Sequence, residues 1–202
     1  HWDDGNAVKA IREGGWNYVV IQEQSQMPVL HPAETLKYAA LLVGEARKVG
    51  AEPVFYMTWA YKADPNMQPG LAATYTKAAK DANCLLAPVG LAWRRALKED
   101  PKLVLHAKDG KHPSPQGTYL AASVFYATLL RRDPAGLPGR LVIDTPVRPN
   151  VIQRRTPCNL TTAQVQPLQT VAWKIVEEFQ SYRPAGEPRE KADDQKGTGN
   201  RE

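Results

Sequence analysis

Apolar residues along this chain fall into short continuous runs that alternate with longer stretches in which they recur every three or four positions, the pattern of strands separated by amphipathic helices. Residues 3–13 predict a short helix with Ala7, Ala10 and Ile11 on one face, ended by Gly14 and Gly15. Residues 17–22 then form a β-branched and aromatic run of the kind buried on both faces of a parallel sheet. Pro32 suits the first turn of a helix that carries Leu36, Ala39, Ala40, Val43 and Ala46, and Gly50 stops it. Residues 53–58 are the second strand, 62–70 a loop rich in Pro, Asp and Asn, 71–83 a helix and 84–87 the third strand. After Val89 a helix bearing Leu91, Trp93 and Leu97 runs to about Glu99, and the short run Leu103, Val104, Leu105 follows. Residues 113–131 predict a helix with Leu120, Val124, Ala127 and Leu130 inward, 133–157 read as loop, and 161–182 as a last helix with Val165, Leu168, Ala172, Ile175 and Phe179 inward. Pro167 either kinks that helix or marks its start.

Strand and helix in alternation imply parallel strands joined by right-handed crossovers, hence an α/β fold with helices on both faces of an open sheet. The expected organisation is one domain over residues 1–182 and a disordered tail over 183–202, rich in Pro, Gly and charge. In open sheets of this kind ligand chemistry collects beyond the carboxyl ends of the strands. Four unusual segments fall there: residues 22–25, 58–60, 88–90 and 109–114.

Length and composition agree with one globular core, since 202 residues are 43% hydrophobic and 23% charged. The net charge of +5 invites an anionic partner until it is located. Arg183, Arg189, Lys191, Lys196 and Arg201 are balanced by Glu187, Glu190, Asp193, Asp194 and Glu202, so the excess lies on the body, in no Lys/Arg block. A solvated basic surface is expected, without nucleic-acid binding. No apolar run reaches the roughly 18 to 20 residues that cross a bilayer. The chain opens with His1, which reads as a fragment or processed product, and a preceding signal peptide would fit a secreted or periplasmic location. Cys84 reads as a buried small hydrophobe and Cys158 as a loop residue; a disulfide between them is the lesser expectation.

The chemistry concentrates in Asp109-Gly110-Lys111-His112-Pro113-Ser114. A carboxylate three residues before a histidine can accept the Nδ1 proton, fix the tautomer and leave Nε2 as a general base. His112 is therefore the candidate base and Asp109 its partner. Ser114 reads as a helix N-terminal residue, Ser25 as a strand-end loop residue rather than a nucleophile, and His106 as a residue that packs or hydrogen-bonds in the loop. Trp59 could cover a sugar or acyl group, or pack at the rim. Glu23, His31, Asp109 and His112 could in principle ligate a metal, but no His-x-His, His-Glu-x-x-His or Cys pair is present, so neither metal nor cofactor is expected.

These residues resemble the SGNH hydrolases, the GDSL-type esterase/lipase superfamily. The segment 109–114 resembles the family's last block, an Asp and a His separated by two residues before the final core helix. Residues 16–25 resemble the third-block strand and loop, where Gln24 stands in place of the oxyanion-hole Asn and Gln22 in place of a Gly. The resemblance covers roughly residues 2–130. It implies a three-layer α/β/α fold on a flavodoxin-like parallel sheet, and a serine ester hydrolase acting on a small-molecule or glycan ester, with Gln24, and with less support Gln22, Glu23 and Trp59, about the oxyanion and substrate. The family's Gly-Asp-Ser turn has no counterpart ahead of residue 17, so the expectation is a parent enzyme whose first strands precede this chain, an inactive fragment, and a bare edge on its first strand. A non-catalytic carbohydrate-binding or interaction module on the same fold is the alternative.

Overall fold

The structure, a computed structural model, describes residues 2–148 and 151–180; the expected disordered tail at 183–202 lies outside them. Its centre is a parallel sheet in the order β1-β2-β3, built from β1 (Tyr18–Ile21), β2 (Glu52–Tyr56) and β3 (Leu85–Ala87). Val20 stands beside Val54 and Phe55 beside Leu86, so the three carboxyl ends open at one rim.

Alternate strand residues divide between two cores, as a pleated sheet requires. Ile21, Phe55 and Met57 pack with α3 (Pro32–Lys48) and α4 (Met67–Asp81) around Val43, Leu71 and Tyr75. Ala87 and Tyr56 belong to the opposite core, with α5 (Val89–Glu99), α6 (Pro115–Leu130) and α7 (Thr162–Gln180), where Trp93, Leu120, Val124 and Leu168 are buried. This is the three-layer α/β/α arrangement that the alternation of elements predicts.

β1 departs from the expected burial on both faces. Val19 and Ile21 turn toward α3 and α4, whereas Trp16, Tyr18 and Val20 form one row that is 49%, 39% and 47% exposed. The helices of the second core gather over β3, which leaves that row half open among the described residues, and there β1 pairs only with β2.

Other boundaries also shift. α1 (Asn6–Arg12) buries Val8 and Ile11 and leaves Ala10 exposed. A short α2 (Met27–Leu30), not anticipated, fills the loop before α3. In α3 Ala40 is exposed, and Thr35 and Glu45 join Ala39, Val43 and Ala46 on the buried face. α4 starts at Met67 rather than 71 because Pro69 sits in the first turn, where its missing N–H has no helical acceptor to lose. Leu130 is exposed: Thr128, four residues after Val124, takes the inward position instead. α7 runs through Pro167 and buries Val165, Leu168, Ala172 and Ile175, with Phe179 partly covered.

The largest correction concerns residues 133–157, expected as loop. Most of them form an antiparallel hairpin of β4 (Arg140–Arg148) and β5 (Val151–Asn159). Its Val, Ile and Thr content favours extended backbone, and its prolines sit in a two-stranded ribbon whose ladder shifts register between Leu141 and Ile143 and between Pro146 and Arg148. Cys158 lies on β5; both it and Cys84 are buried, and no disulfide joins them.

Candidate active site

After the buried Leu105 the chain leaves the core, makes a tight loop and returns at Ser114 to start α6. The loop closes on itself: Ala107 N donates to His112 O at 2.8 Å, Gly110 N to Ala107 O at 3.0 Å, and Ser114 N to Leu105 O at 2.8 Å. Gly110 occupies the turn at φ 70°, a left-handed conformation that glycine adopts without steric cost. Asp109 is the hub. Its Oδ1 accepts from Lys111 N at 2.9 Å and His112 N at 3.0 Å, and its Oδ2 accepts from His112 Nδ1 at 2.5 Å. The His112 ring N–H, helped by the two backbone amides, holds the Asp109 carboxyl well below the usual carboxylate range. The carboxylate is therefore ionised, and its contact with Nδ1 requires the ring proton there, which leaves Nε2 without a hydrogen bond among the described residues on a side chain that is 79% exposed.

Elements from the carboxyl end of β2 brace this loop from behind. Lys62 N donates to Gly110 O at 2.9 Å, Trp59 Nε1 to Lys111 O at 2.9 Å, and His106 Nε2 to Ala60 O at 3.0 Å. Trp59 stacks on Trp93 with ring centroids 4.0 Å apart and planes 7° apart, and His106 meets Trp93 edge-on at 4.8 Å. The Ser114 hydroxyl donates to Val104 O and accepts from Gly117 N at 3.2 Å, fixing the start of α6. Close approach there depends on Gly117, where a Cβ would lie 2.3 Å from Leu105 O and 2.5 Å from Trp93 Cζ2. Trp59 thus supports the loop and also lines a neighbouring cavity.

The loop after β1 lies at the same rim, because all three strands run in parallel. Glu23 N donates to Tyr75 Oη at 3.0 Å, Glu23 Oε1 accepts from Gln24 N at 2.7 Å, and Gln24 Oε1 accepts from Gln26 N at 2.9 Å. With its oxygen engaged, the exposed Gln24 side chain presents its NH2 as the end left to donate. Burial raises the Tyr75 phenol above its ordinary range, so it stays neutral. Gln22 and Glu23 face a separate cavity of about 150 Å³ beside Tyr75 and Phe55. Among the described residues no hydrogen bond joins Gln24 to Asp109 or His112, so the two loops share an edge without touching through these groups.

Sequence reasoning missed Tyr75, which reads as one more core aromatic on α4, and Gln68, whose Oε1 accepts from Ala60 N at 2.9 Å and holds the bend that carries Trp59. Neither has a local signal. His31 stands apart, exposed at the junction of α2 and α3. Among the described residues no group of His, Cys, Asp and Glu is gathered to hold a metal, and no helix is long and apolar enough to cross a membrane.

The fold is a three-layer α/β/α arrangement on a parallel sheet, with an Asp–His pair on the loop before a late helix. A solved structure of a protein assigned to the SGNH hydrolases, from Slackia heliotrinireducens, aligns with a TM-score of 0.53 and 34% sequence identity over 59% of this chain and 69% of that one. The chain belongs to the SGNH hydrolase family. A crystal structure of TesA aligns with a TM-score of 0.43 and 18% identity, covering 55% of this chain and 60% of that one. No family model and no curated protein matches the sequence.

Proposed function

We propose that this chain carries the acid–base half of a serine ester hydrolase. The observation that supports it is the 2.5 Å bond from His112 Nδ1 to Asp109, with Nε2 open to solvent. In the reaction a serine hydroxyl attacks the acyl carbonyl while His112 Nε2 takes its proton. The tetrahedral intermediate collapses and the leaving alcohol departs with that proton. Water then repeats the sequence on the acyl-enzyme, releasing the acid and restoring serine and imidazole. Asp109 orients the ring and stabilises the imidazolium, and the Gln24 NH2 donates to the oxyanion. The substrate class is a glycan or short-acyl ester, and no step calls for a cofactor.

The nucleophile is not proposed among the described serines. The hydroxyls of Ser114 and Ser123 are committed to Val104 O and Tyr119 O, and Ser25 has no bond to His112. By itself the 202-residue chain is therefore expected to turn over little ester. The test is hydrolysis of p-nitrophenyl acetate by the protein expressed from its full coding sequence, beside the His112→Ala variant. Turnover that falls on the order of 10³-fold or more in the variant fits the proposed base. Retained turnover in His112→Ala removes it. Glycan binding without any turnover in the full-length protein would favour the binding-module reading.

A further inference from the structure

A second feature of the same rim is independent of the hydrolase reading. Behind the Asp109–His112 loop, between α5 and residues 59–68, lies a cavity of about 450 Å³. Its aromatic wall is the Trp59–Trp93 stack, extended by Tyr61, and Leu97 and Leu103 add apolar surface. Its charged wall is Lys62, Arg94 and Lys98, and among the described residues no carboxylate lines it.

The balance of charge on α5 is uneven in a way that folding does not require. Arg95 bridges Glu99 at 3.0 Å and Glu178 at 2.5 Å. Arg94 and Lys98, one turn apart on the cavity side, are like charges in mutual reach, an arrangement that destabilises a helix. Among the described residues neither they nor Lys62 take part in an ion pair. The Trp93 indole adds a buried N–H, Nε1, with no acceptor among the described residues. A concave aromatic surface beside unneutralised cations concentrates anions and rewards a flat apolar body laid against it.

We propose that this cavity is a binding site for a small organic oxyanion, a carboxylate or phosphate attached to a planar apolar group. The anionic end lies among Lys62, Arg94 and Lys98, and the planar part lies along Trp59. Because Lys62 N and Trp59 Nε1 also hold the carbonyls of Gly110 and Lys111, a ligand there rests on the same supports that hold the Asp109–His112 loop.

The experiment titrates the chain with phenyl phosphate, sodium benzoate and neutral benzyl alcohol, followed by the indole N–H resonances of Trp59 and Trp93. Saturable shifts at these indoles are expected with at least one of the two anions, with benzyl alcohol roughly tenfold weaker or more, and with affinity that falls as salt rises. In the double variant Arg94→Gln/Lys98→Gln, two exposed positions that leave the core intact, binding of the anion weakens roughly tenfold; Lys9→Gln on α1, an equal kind of charge change elsewhere, leaves it unchanged. Equal affinity for benzyl alcohol, unchanged binding in the double variant, or shifts that bypass Trp59 and Trp93 would each overturn the assignment.

Discussion

The two loops at the rim of the sheet are built on opposite principles. Residues 106–113 are short of burial and rich in external support: Ala60 O, Lys62 N and Trp59 Nε1 each hold a different point of the loop, and a stacked indole pair stands behind them. Residues 22–26 are bonded to themselves and to α2, which follows them directly, with one described side-chain tie to a more distant element, from Glu23 N to the Tyr75 hydroxyl on α4. An acid–base pair needs its geometry fixed before reaction, because orientation is much of what it contributes. A single amide donor needs only reach. The contrast accords with a contact between Asp109 and His112 that is already made and a Gln24 NH2 that has no bond among the described residues.

That contrast can be broken at several points. The largest effect is expected for Asp109→Asn in the full-length protein, since the amide no longer compels the Nδ1–H tautomer; turnover should fall on the order of 10³-fold. Imidazole nitrogen shifts of the chain should report the lost tautomer preference, and unchanged shifts would remove the orienting role. Gln24→Ala is expected to cost about 10²-fold in kcat with an unchanged melting temperature, because the side chain supports little beyond its own turn. Trp59→Phe keeps the stack but loses the bond to Lys111 O. It should cost roughly tenfold in kcat and about 1 kcal/mol of stability. If Gln24→Ala destabilised the fold and Trp59→Phe did not, the assignment of supported and unsupported loops would be reversed.

The smallest effect tests the contact between α1 and α3. Glu45, on α3, accepts from the Arg12 side chain at 2.6 Å and from Lys48 at 2.7 Å, and these bonds lower its carboxyl from 4.5 to about 2. A depressed folded-state value means stabilisation that is complete above the ordinary carboxylate range and lost as the pH falls. Denaturant melts should therefore show a steeper loss between pH 4.5 and 2 in the wild type than in Glu45→Gln. Equal slopes would show that the contact between α1 and α3 carries no charge-dependent stability.

What the sequence discloses follows from how local each cause is. The pairing of Asp109 with His112 needs only three residues of separation and a Gly in the turn, so it is legible in the chain. Strand and helix positions are legible for the same reason, within a few residues. The open row of Trp16, Tyr18 and Val20 is not, because an apolar run looks alike whether or not a helix from elsewhere covers it. Residues 140–159 were obscured by prolines at 146, 149 and 157, which mark breaks in most contexts and are tolerated in a two-stranded ribbon. The roles of Tyr75 and Gln68 depend on residues 52 and 8 positions away, and the brace from Trp59 reaches 52 positions to Lys111. Such partners are chosen by topology, and no periodicity announces them.

Gly117 has a consequence for how this site can diverge. Helix, returning loop and indole converge on its single hydrogen, so the clearance there acts as a gauge for the distance between scaffold and chemistry. Any larger side chain would have to lever the helix outward, and Ser114 and His112, a few residues upstream on the same lever, would swing with it. Mutational drift in this family member thus has room at the solvent-facing residues of the loop other than Asp109 and His112, while its seat on the scaffold tolerates almost none.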